Sequence, residues 1–261
     1  MATEQAKELQ ERFHPFVKDC HGPVDVAIGL RKAGIDRFLT PRRDGSIEVH
    51  RLVSRLVGTR LELWSYEFSG WVETRIGLAA LSLVASSGPL FHRGVENFLR
   101  ALTASFILER EGLLLHGAAV VRKGKAYVFF GPSGSGKTTV TDLSPGDTIL
   151  SDDLTLVVKS RDGYQAAGIP FGMAHHRVPN TCASFPIASF NRLVQRRSVD
   201  RHPLKGARAS AEIAASLPFV MQDPRQARKA LETVSQVLAE VPAFRLDFRR
   251  DDTFWRAIEE I

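Results

Sequence analysis

The stretch Gly131-Pro-Ser-Gly-Ser-Gly-Lys-Thr138 decides the fold, because it has a glycine, four residues and then Gly-Lys-Thr. The apolar run from Ala126 to Phe130 precedes it, and the segment from Thr139 to Leu143 that follows is typical of a helix. Between a strand and a helix, this pattern is a specific signal for a phosphate-binding loop. Its glycines let successive amides point at phosphate oxygens, and the start of a helix adds a partial positive charge. The sequence therefore predicts a bound nucleoside triphosphate.

Two side chains of this loop have expected roles at the phosphates. Lys137 should reach the β- and γ-phosphates, and Thr138 should supply a hydroxyl to Mg²⁺. We therefore expect ATP and Mg²⁺ as cofactors. The residues expected to contact the nucleotide are Gly131, Pro132, Ser133, Gly134, Ser135, Gly136, Lys137, Thr138 and Thr139.

Two carboxylates, Asp152 and Asp153, follow the loop at the end of the next predicted strand, Thr148 to Leu150. Because a parallel sheet has its functional groups at the carboxyl ends of its strands, we expect both acids to lie beside the loop. One acid can then hold Mg²⁺ while the other takes a proton from an attacking hydroxyl. The chain has a second such pair, Asp251-Asp252, which we interpret as a helix cap,. A functional role for Asp152 and Asp153 is therefore favoured by their position after the loop, and not by the Asp-Asp pair itself.

Two short apolar runs before the loop, Gly117 to Val121 and Ala126 to Phe130, are joined by Arg122-Lys-Gly-Lys125. This pattern predicts a hairpin that leads directly into the loop. His116 precedes the hairpin. A lone histidine at such a place is more often a core or turn residue than a functional one.

The other elements are less sharply indicated. Apolar residues from Val95 recur at helical spacing until near Gly112, and Pro224 to Glu240 also favours a helix,. Pro186 to Val194 and Ala209 to Leu217 have mixed helical character, and Asp251 to Ile258 is typical of an acid-capped final helix,.

Residues 11 to 90 mix β-branched and aromatic runs with turn residues such as Pro41 to Gly45, so we expect mostly strands there,. The longest apolar run, Gly77 to Val84, is too short to cross a bilayer, which takes roughly 20 residues,. We expect an N-terminal α+β region of unknown role at 1–110 and a catalytic domain at 111–261.

The formal net charge of +6 is concentrated in one segment, since Arg177 to Arg208 holds seven basic residues and one acid. Such a field attracts anions, namely phosphates, an acidic peptide or nucleic acid, although a solvated basic helix face is an equal alternative. Nucleic acid is the weaker candidate, because only Phe185 and Phe190 offer stacking surfaces,.

The start of the chain lacks a secretory pattern, and its cysteines, Cys20 and Cys182, lack zinc-ligand spacing,. A cytoplasmic protein without a membrane span is expected, and the oligomeric state stays open.

Three segments in this order carry a family resemblance: Leu115-His116-Gly117, the loop, and Leu150-Ser-Asp-Asp153. Together they resemble the catalytic domain of HPr kinase/phosphorylase and its smaller relatives, which phosphorylate a serine in a protein or peptide. Gly168 to Gly172 and Phe185 to Leu193 are similar to segments of stand-alone HPr-kinase-related proteins. The resemblance runs from about residue 112 to the C-terminus. The spacing from loop to acids is also similar to that of ATP-dependent phosphoenolpyruvate carboxykinase, a structural relative.

The resemblance implies an α/β fold, namely a P-loop kinase core of the HPr kinase C-terminal and phosphoenolpyruvate carboxykinase-like type, with a smaller, mainly β N-terminal region. It implies that His116 contacts the transferring phosphate, that Asp153 is the general base, and that Asp152 and Thr138 hold Mg²⁺. We therefore expect a kinase that transfers the γ-phosphoryl group of ATP, with catalytic residues Asp153, His116 and Lys137, to a serine of a small protein or peptide. The alternative is a nucleotide-dependent regulatory or assembly ATPase without a phosphorylated acceptor.

Overall fold

The computed structural model describes residues 3–14, 16–17, 22–40, 51–171 and 182–259. The chain divides into two compact units, residues 1–106 with 222–224, and residues 107–221 with 225–261. The predicted boundary at 110/111 lies just after the helix in which this division falls. Cys20 and the turn expected at Pro41 to Gly45 lie outside the described residues.

The first unit is a five-stranded sheet with two α-helices. Its strand order is β1-β5-β4-β3-β2, and all neighbours are antiparallel except β1 and β5. The strands expected between residues 11 and 90 are confirmed, whereas helix α1 was not predicted. The elements are α1 (Thr3–Phe13), β1 (Ala27–Lys32), β2 (Val53–Val57), β3 (Arg60–Trp64), β4 (Phe68–Glu73), β5 (Leu78–Leu83) and α2 (Gly88–Leu108).

Helix α2 covers one face of this sheet. The ring of Phe98 packs edge-on against Phe68, with 5.7 Å between ring centroids, and both side chains are fully buried. A Cβ at Gly70 would lie 2.8 Å from the Phe98 ring, so a glycine in β4 lets the helix approach. Because side chains alternate along a strand, the odd-numbered residues of β3 and β5 pack inward and the even-numbered ones form the opposite face,.

The second unit contains the remaining strands in one eight-stranded sheet. Its order is β10-β9-β6-β7-β11-β13-β12, β8 pairs with β6, and β10 also pairs with β11. The elements are β6 (Leu113–Arg122), β7 (Lys125–Phe130), α3 (Lys137–Asp142), β8 (Thr148–Ser151), β9 (Leu154–Ser160), β10 (Gly163–Ala167), β11 (Ser184–Gln195), β12 (Asp200–Leu204), α4 (Gly206–Ala214), α5 (Pro224–Glu240), β13 (Ala243–Phe248) and α6 (Phe254–Glu259).

Strands β7, β11 and β13 run parallel to one another, so their carboxyl ends lie at one edge. They are buried among aromatic side chains: the Phe129 ring contacts Phe254 and Trp255 edge-on, and Phe248 contacts Phe254 in the same way. The predicted hairpin of β6 and β7 is confirmed. Its two turn residues, Lys123 and Gly124, both have positive φ, as a type I′ turn requires,.

Three interpretations of the sequence of this unit are wrong. Pro186 to Val194 lies in strand β11 rather than in a helix, because its apolar residues meet neighbours on both sides, β7 and β13,. The strand before the two acids, β8, does not belong to a parallel pair, since it is antiparallel to β6. Nor is the basic segment a helix face, since its described part spans β11, β12 and the start of α4.

The other helices follow the sequence closely. Helix α5 has the predicted bounds, and α6 is preceded by Asp251, whose carboxylate accepts a hydrogen bond from the Thr253 amide at 3.1 Å. Among the described residues, no helix is long and apolar enough to cross a membrane.

Candidate functional site

The glycine-rich loop begins where β7 ends, and two of its glycines are required by close contacts. At Gly131, with a φ of 149°, a Cβ would lie 2.9 Å from the Ser135 hydroxyl. At Gly136, with a φ of 108°, a Cβ would lie 2.4 Å from the tip of the Phe248 ring. The loop therefore packs closely against its own residue Ser135 and against Phe248, the last residue of β13.

Lys137 is the first residue of α3 and is buried, with 9% of its surface exposed. Its ammonium donates to the carbonyl oxygens of Gly131 at 3.0 Å and Pro132 at 3.2 Å. Burial lowers the pKa of Lys137, and the negative charge of Asp153 opposes that shift. The preceding residue, Gly136, gives the helix no side-chain cap. The first amides of α3 can therefore bind an anion beside the Lys137 ammonium.

Asp152 and Asp153 form the tight connection between β8 and β9. The Ser151 hydroxyl, buried beneath them, donates to the carbonyl of Leu154 and accepts from the Asp153 amide at 3.3 Å. Strands β7 and β8 are both antiparallel to β6, so they run in the same direction and end at the same edge. The acids therefore lie beside the loop, as expected, although the two strands are not neighbours.

His116, in β6, lies against the acid pair. Its Nε2 is 3.3 Å from Oδ1 of Asp153, and its amide donates to the carbonyl of Ser216 at 2.8 Å. The next residue, Gly117, donates its amide to the carbonyl of Asp153 at 2.9 Å. This backbone contact holds the imidazole near the carboxylate. The side chain of His116 is 42% exposed and that of Asp153 is 14% exposed. The imidazole is thus not a core side chain.

These residues surround one cavity of about 300 Å³. Of the predicted site residues, only Gly131, Pro132 and Ser135 do not line it, because they form the base of the loop. The lining residues are His116, Ser133, Gly134, Gly136, Lys137, Thr138, Thr139, Asp152, Asp153 and Gln195. A larger cavity of about 680 Å³, beside α4 and α5, has mainly small and apolar walls with Lys205 as its one charged residue, and we do not assign the chemistry to it.

Gln195 is a site residue that sequence reasoning missed. It is the last residue of β11, and its side-chain amide donates to the carbonyl of Gly134 at 2.9 Å. Because β11 is parallel to β7, the end of β11 lies over the loop that follows β7. Recognising residues 187–194 as a buried strand would have indicated a polar residue at this edge.

A second cavity, of about 240 Å³, adjoins the first and shares Thr139 and Gln195 with it. Its other walls are Phe248 and the side chains of Arg196, Arg249 and Arg250. Arg249 forms an ion pair with Asp251, whereas neither Arg196 nor Arg250 forms an ion pair within the described part of the chain. Two arginines without an ion pair among the described residues therefore line this cavity, whereas Asp153 does not.

Some arginines of the basic segment have structural partners. Arg192 pairs with Glu212 at 3.0 Å. Arg201 donates to Ser189 and Asn191 and lies 3.6 Å from the Phe244 ring centroid, and burial lowers its pKa to about 10. Arg177, the arginine nearest in sequence to the predicted site, lies outside the described residues.

The donors available to a divalent cation are the Thr138 hydroxyl and the Asp152 carboxylate, which line the same cavity. Mg²⁺ is usually held by one or two such protein oxygens together with phosphate oxygens and water, so these residues fit that ion. No group of three or more His, Cys, Asp or Glu side chains that could hold a metal occurs among the described residues.

The fold and site define a mixed α/β protein in which a glycine-rich loop and two acids meet at one edge of a sheet. The chain belongs to the family described as SynChlorMet cassette protein ScmC, whose model matches residues 100–261, more than half of the chain. The match includes every site residue named above. No curated protein matches the chain.

Proposed function

We propose that the protein is an ATP-dependent kinase that transfers the γ-phosphoryl group to a hydroxyl, namely a serine of a small protein or peptide. The observation that carries this proposal is that Lys137 and Asp153 face one cavity at the glycine-rich loop. A cation for the phosphates and a carboxylate for the acceptor proton are the two groups that phosphoryl transfer requires of a protein.

The phosphates of ATP would bind to the loop amides and to the ammonium of Lys137. On binding, Lys137 would exchange the carbonyl oxygens of Gly131 and Pro132 for phosphate oxygens, which are stronger acceptors because they are charged,. Mg²⁺, held by Thr138 and Asp152, would neutralise charge on the β- and γ-phosphates.

Asp153 would accept the proton of the acceptor hydroxyl while the hydroxyl oxygen forms a bond to the γ-phosphorus. The bond from that phosphorus to the β,γ-bridging oxygen breaks, and ADP leaves. His116, 3.3 Å from Asp153, is close enough to contact the travelling phosphoryl group. In the transition state, the carboxylate of Asp153 would thus contact the departing proton, and the imidazole of His116 would contact the negatively charged phosphoryl group.

The nucleoside end of ATP would point toward the second cavity, because Asp153 and His116 line only the first. Guanidinium groups such as those of Arg196 and Arg250 can stack on the base.

The proposed fold is a P-loop kinase core of the HPr kinase and phosphoenolpyruvate carboxykinase-like type. It is supported by the order of His116, the loop and the acid pair along the chain, and by their meeting around one cavity. The resemblance also favours a serine as the acceptor.

Incubation with γ-labelled ATP and cell extract tests the proposal. We expect transfer of label to a protein or peptide, whose modified serine mass spectrometry would identify. Slow release of labelled phosphate without any labelled acceptor would instead favour a regulatory or assembly ATPase.

A further inference from the structure

The five-stranded sheet of the first unit has a second face, opposite α2, that bears both tryptophans of that unit. We call it the Trp face and define it by the outward positions Arg31, Arg60, Glu62, Trp64, Trp71 and Ser82. The register places Trp71 beside Glu62 on one side and Ala80 on the other, so the side chains lie in rows across β3, β4 and β5.

The face carries three arginines, Arg31, Arg55 and Arg60, against two carboxylates, Glu62 and Glu73. Glu73, which lies opposite Leu78, accepts a hydrogen bond from the hydroxyl of Thr59 at 2.9 Å. Glu62 is already paired with Arg55, at 2.7 Å. Arg31 donates to the hydroxyl of Ser82 at 3.0 Å, and within the described residues neither Arg31, Arg37 nor Arg60 forms an ion pair. In the part of the chain that the structure describes, three guanidinium groups on or beside this face are therefore without a paired carboxylate.

A cavity of about 180 Å³ lies in this face. Its walls include Arg31, Arg37, Trp64 and Trp71, together with Glu62, the carboxylate already paired with Arg55. Such a volume accommodates a carboxylate side chain between two guanidinium groups, which bind carboxylates through paired hydrogen bonds.

The tryptophan rings are already covered by cations. Arg60 lies 4.3 Å from the Trp71 ring centroid, and Arg55 lies 5.6 Å from that of Trp64. Nucleic-acid binding through bases needs uncovered aromatic surfaces, so this face does not suit it. Exposed apolar side chains at two positions of the same face, Val57 and Leu78, instead suit the side chains of a peptide.

We propose that the Trp face binds an acidic peptide segment of a partner protein, with carboxylates held by Arg31, Arg37 and Arg60. Apolar side chains of the segment would contact Val57, Leu78 and the edges of the tryptophan rings. That this segment belongs to the phosphoryl acceptor rests on the proposed function, whereas the binding itself does not.

The test measures binding of a fluorescein-labelled peptide of alternating glutamate and valine by anisotropy, with the full chain and without nucleotide. About ten residues suffice, since an extended chain of that length spans roughly 33 Å. We expect the double variant Arg31→Gln, Arg37→Gln to bind about tenfold more weakly, because two charge-assisted contacts are lost. Because no nucleotide is present, failure here is distinguishable from failure of phosphoryl transfer.

The matched control is the double variant Lys32→Gln, Arg75→Gln. It removes the same charge from the same unit, but Lys32 points to the opposite side of β1 and Arg75 lies in the turn after β4. We expect its affinity to stay within about twofold of the wild type, since bulk charge acts weakly at physiological salt. Equal weakening in both double variants would overturn the proposal.

A second variant covers the case in which the double variant does not fold. Ala80→Glu places a carboxylate in the cavity wall, next to Trp71, and should abolish binding while the thermal transition is retained. Retained binding in a folded Ala80→Glu variant, or tighter binding of a single-stranded oligonucleotide than of the peptide, would contradict an acidic-peptide surface.

Discussion

Nε2 of His116, in β6, lies 3.3 Å from Oδ1 of Asp153, in the connection between β8 and β9, although the two residues are 37 positions apart. The backbone reinforces this contact, since the amide of Gly117 donates to the carbonyl of Asp153. A carboxylate oriented by a neighbouring imidazole, at the mouth of the glycine-rich loop, can receive a proton from a hydroxyl.

Replacement of this carboxylate by its amide gives the first prediction. Asp153→Asn keeps the shape of the side chain but cannot accept the proton, so the transfer rate should fall by about 10²- to 10⁴-fold. ATP affinity should change little, because the loop and Lys137 remain. Transfer of label from γ-labelled ATP and an equilibrium binding titration measure the two effects.

Asp162→Asn is a suitable control for that prediction, since Asp162 lies in the exposed turn between β9 and β10, away from the cavity. It should transfer phosphate at the native rate. Native transfer by Asp153→Asn itself would show that another group is the base.

The packing of Gly136 on Phe248 gives the second prediction. A Cβ at Gly136 would lie 2.4 Å from a ring that is itself buried against Phe254, and the φ of 108° is unfavourable for other residues,. Gly136→Ala should therefore lower the free energy of unfolding by roughly 3 kcal/mol, combining overpacking with backbone strain. Thermal and urea unfolding measure the loss.

Gly134→Ala is the matched control for Gly136→Ala. Its φ of 76° is also positive, but no atom lies within 4 Å of the added carbon. It should cost only about 1 kcal/mol, from backbone conformation alone. If both variants lose the same stability, the contact with Phe248 is not what requires a glycine at 136.

Local patterns in the sequence predicted the elements that deliver the site. The hairpin before the loop, helix α5 and the final helix all depend on turn or cap residues and on spacing within one segment. Strand β11 was not predicted, because its interior position between β7 and β13 removes the alternation by which a half-buried strand is recognised,.

The candidate site likewise combines residues that local patterns predict with residues that only the pairing of distant strands brings to it. Lys137, Asp153 and His116 were chosen from motifs and from a resemblance, and all three line the cavity. Gln195 and Arg250 line the two cavities only because β11 and β13 run parallel to β7, and such pairing between distant segments leaves no local mark.

The third prediction concerns the ammonium of Lys137. Burial lowers its pKa below the ordinary 10.5, so the charged form is lost at a lower pH than for an exposed lysine. Because phosphate binding needs the charged form, ATP affinity should fall as the pH rises toward the ordinary lysine value of 10.5,. Titration of ATP binding against pH measures this decline.

Two variants separate that effect from other titrating groups. Lys137→Ala should bind ATP weakly and without this decline, whereas Lys205→Ala, at an exposed position before α4, should keep it. An unchanged decline in Lys137→Ala would assign it to a different group.

The fourth prediction distinguishes the nucleoside end of the ligand from its phosphates. Arg196 and Arg250 line the second cavity without an ion pair, in the part of the chain that the structure describes. Removing both with Arg196→Ala, Arg250→Ala should weaken ATP binding by about tenfold, since each guanidinium loses roughly 0.5–1 kcal/mol of stacking on the base. Calorimetric titration with ATP measures the loss.

Tripolyphosphate is the discriminating ligand for that pair of arginines, because it fills the loop but has no nucleoside. Its affinity should fall far less than that of ATP in the double variant. Arg197→Ala removes the charge that follows Arg196 in the chain but does not line the cavity, so it should leave both ligands nearly unaffected. If the double variant weakens tripolyphosphate as much as ATP, the arginines act on the phosphates through their charge, and the nucleoside must lie elsewhere.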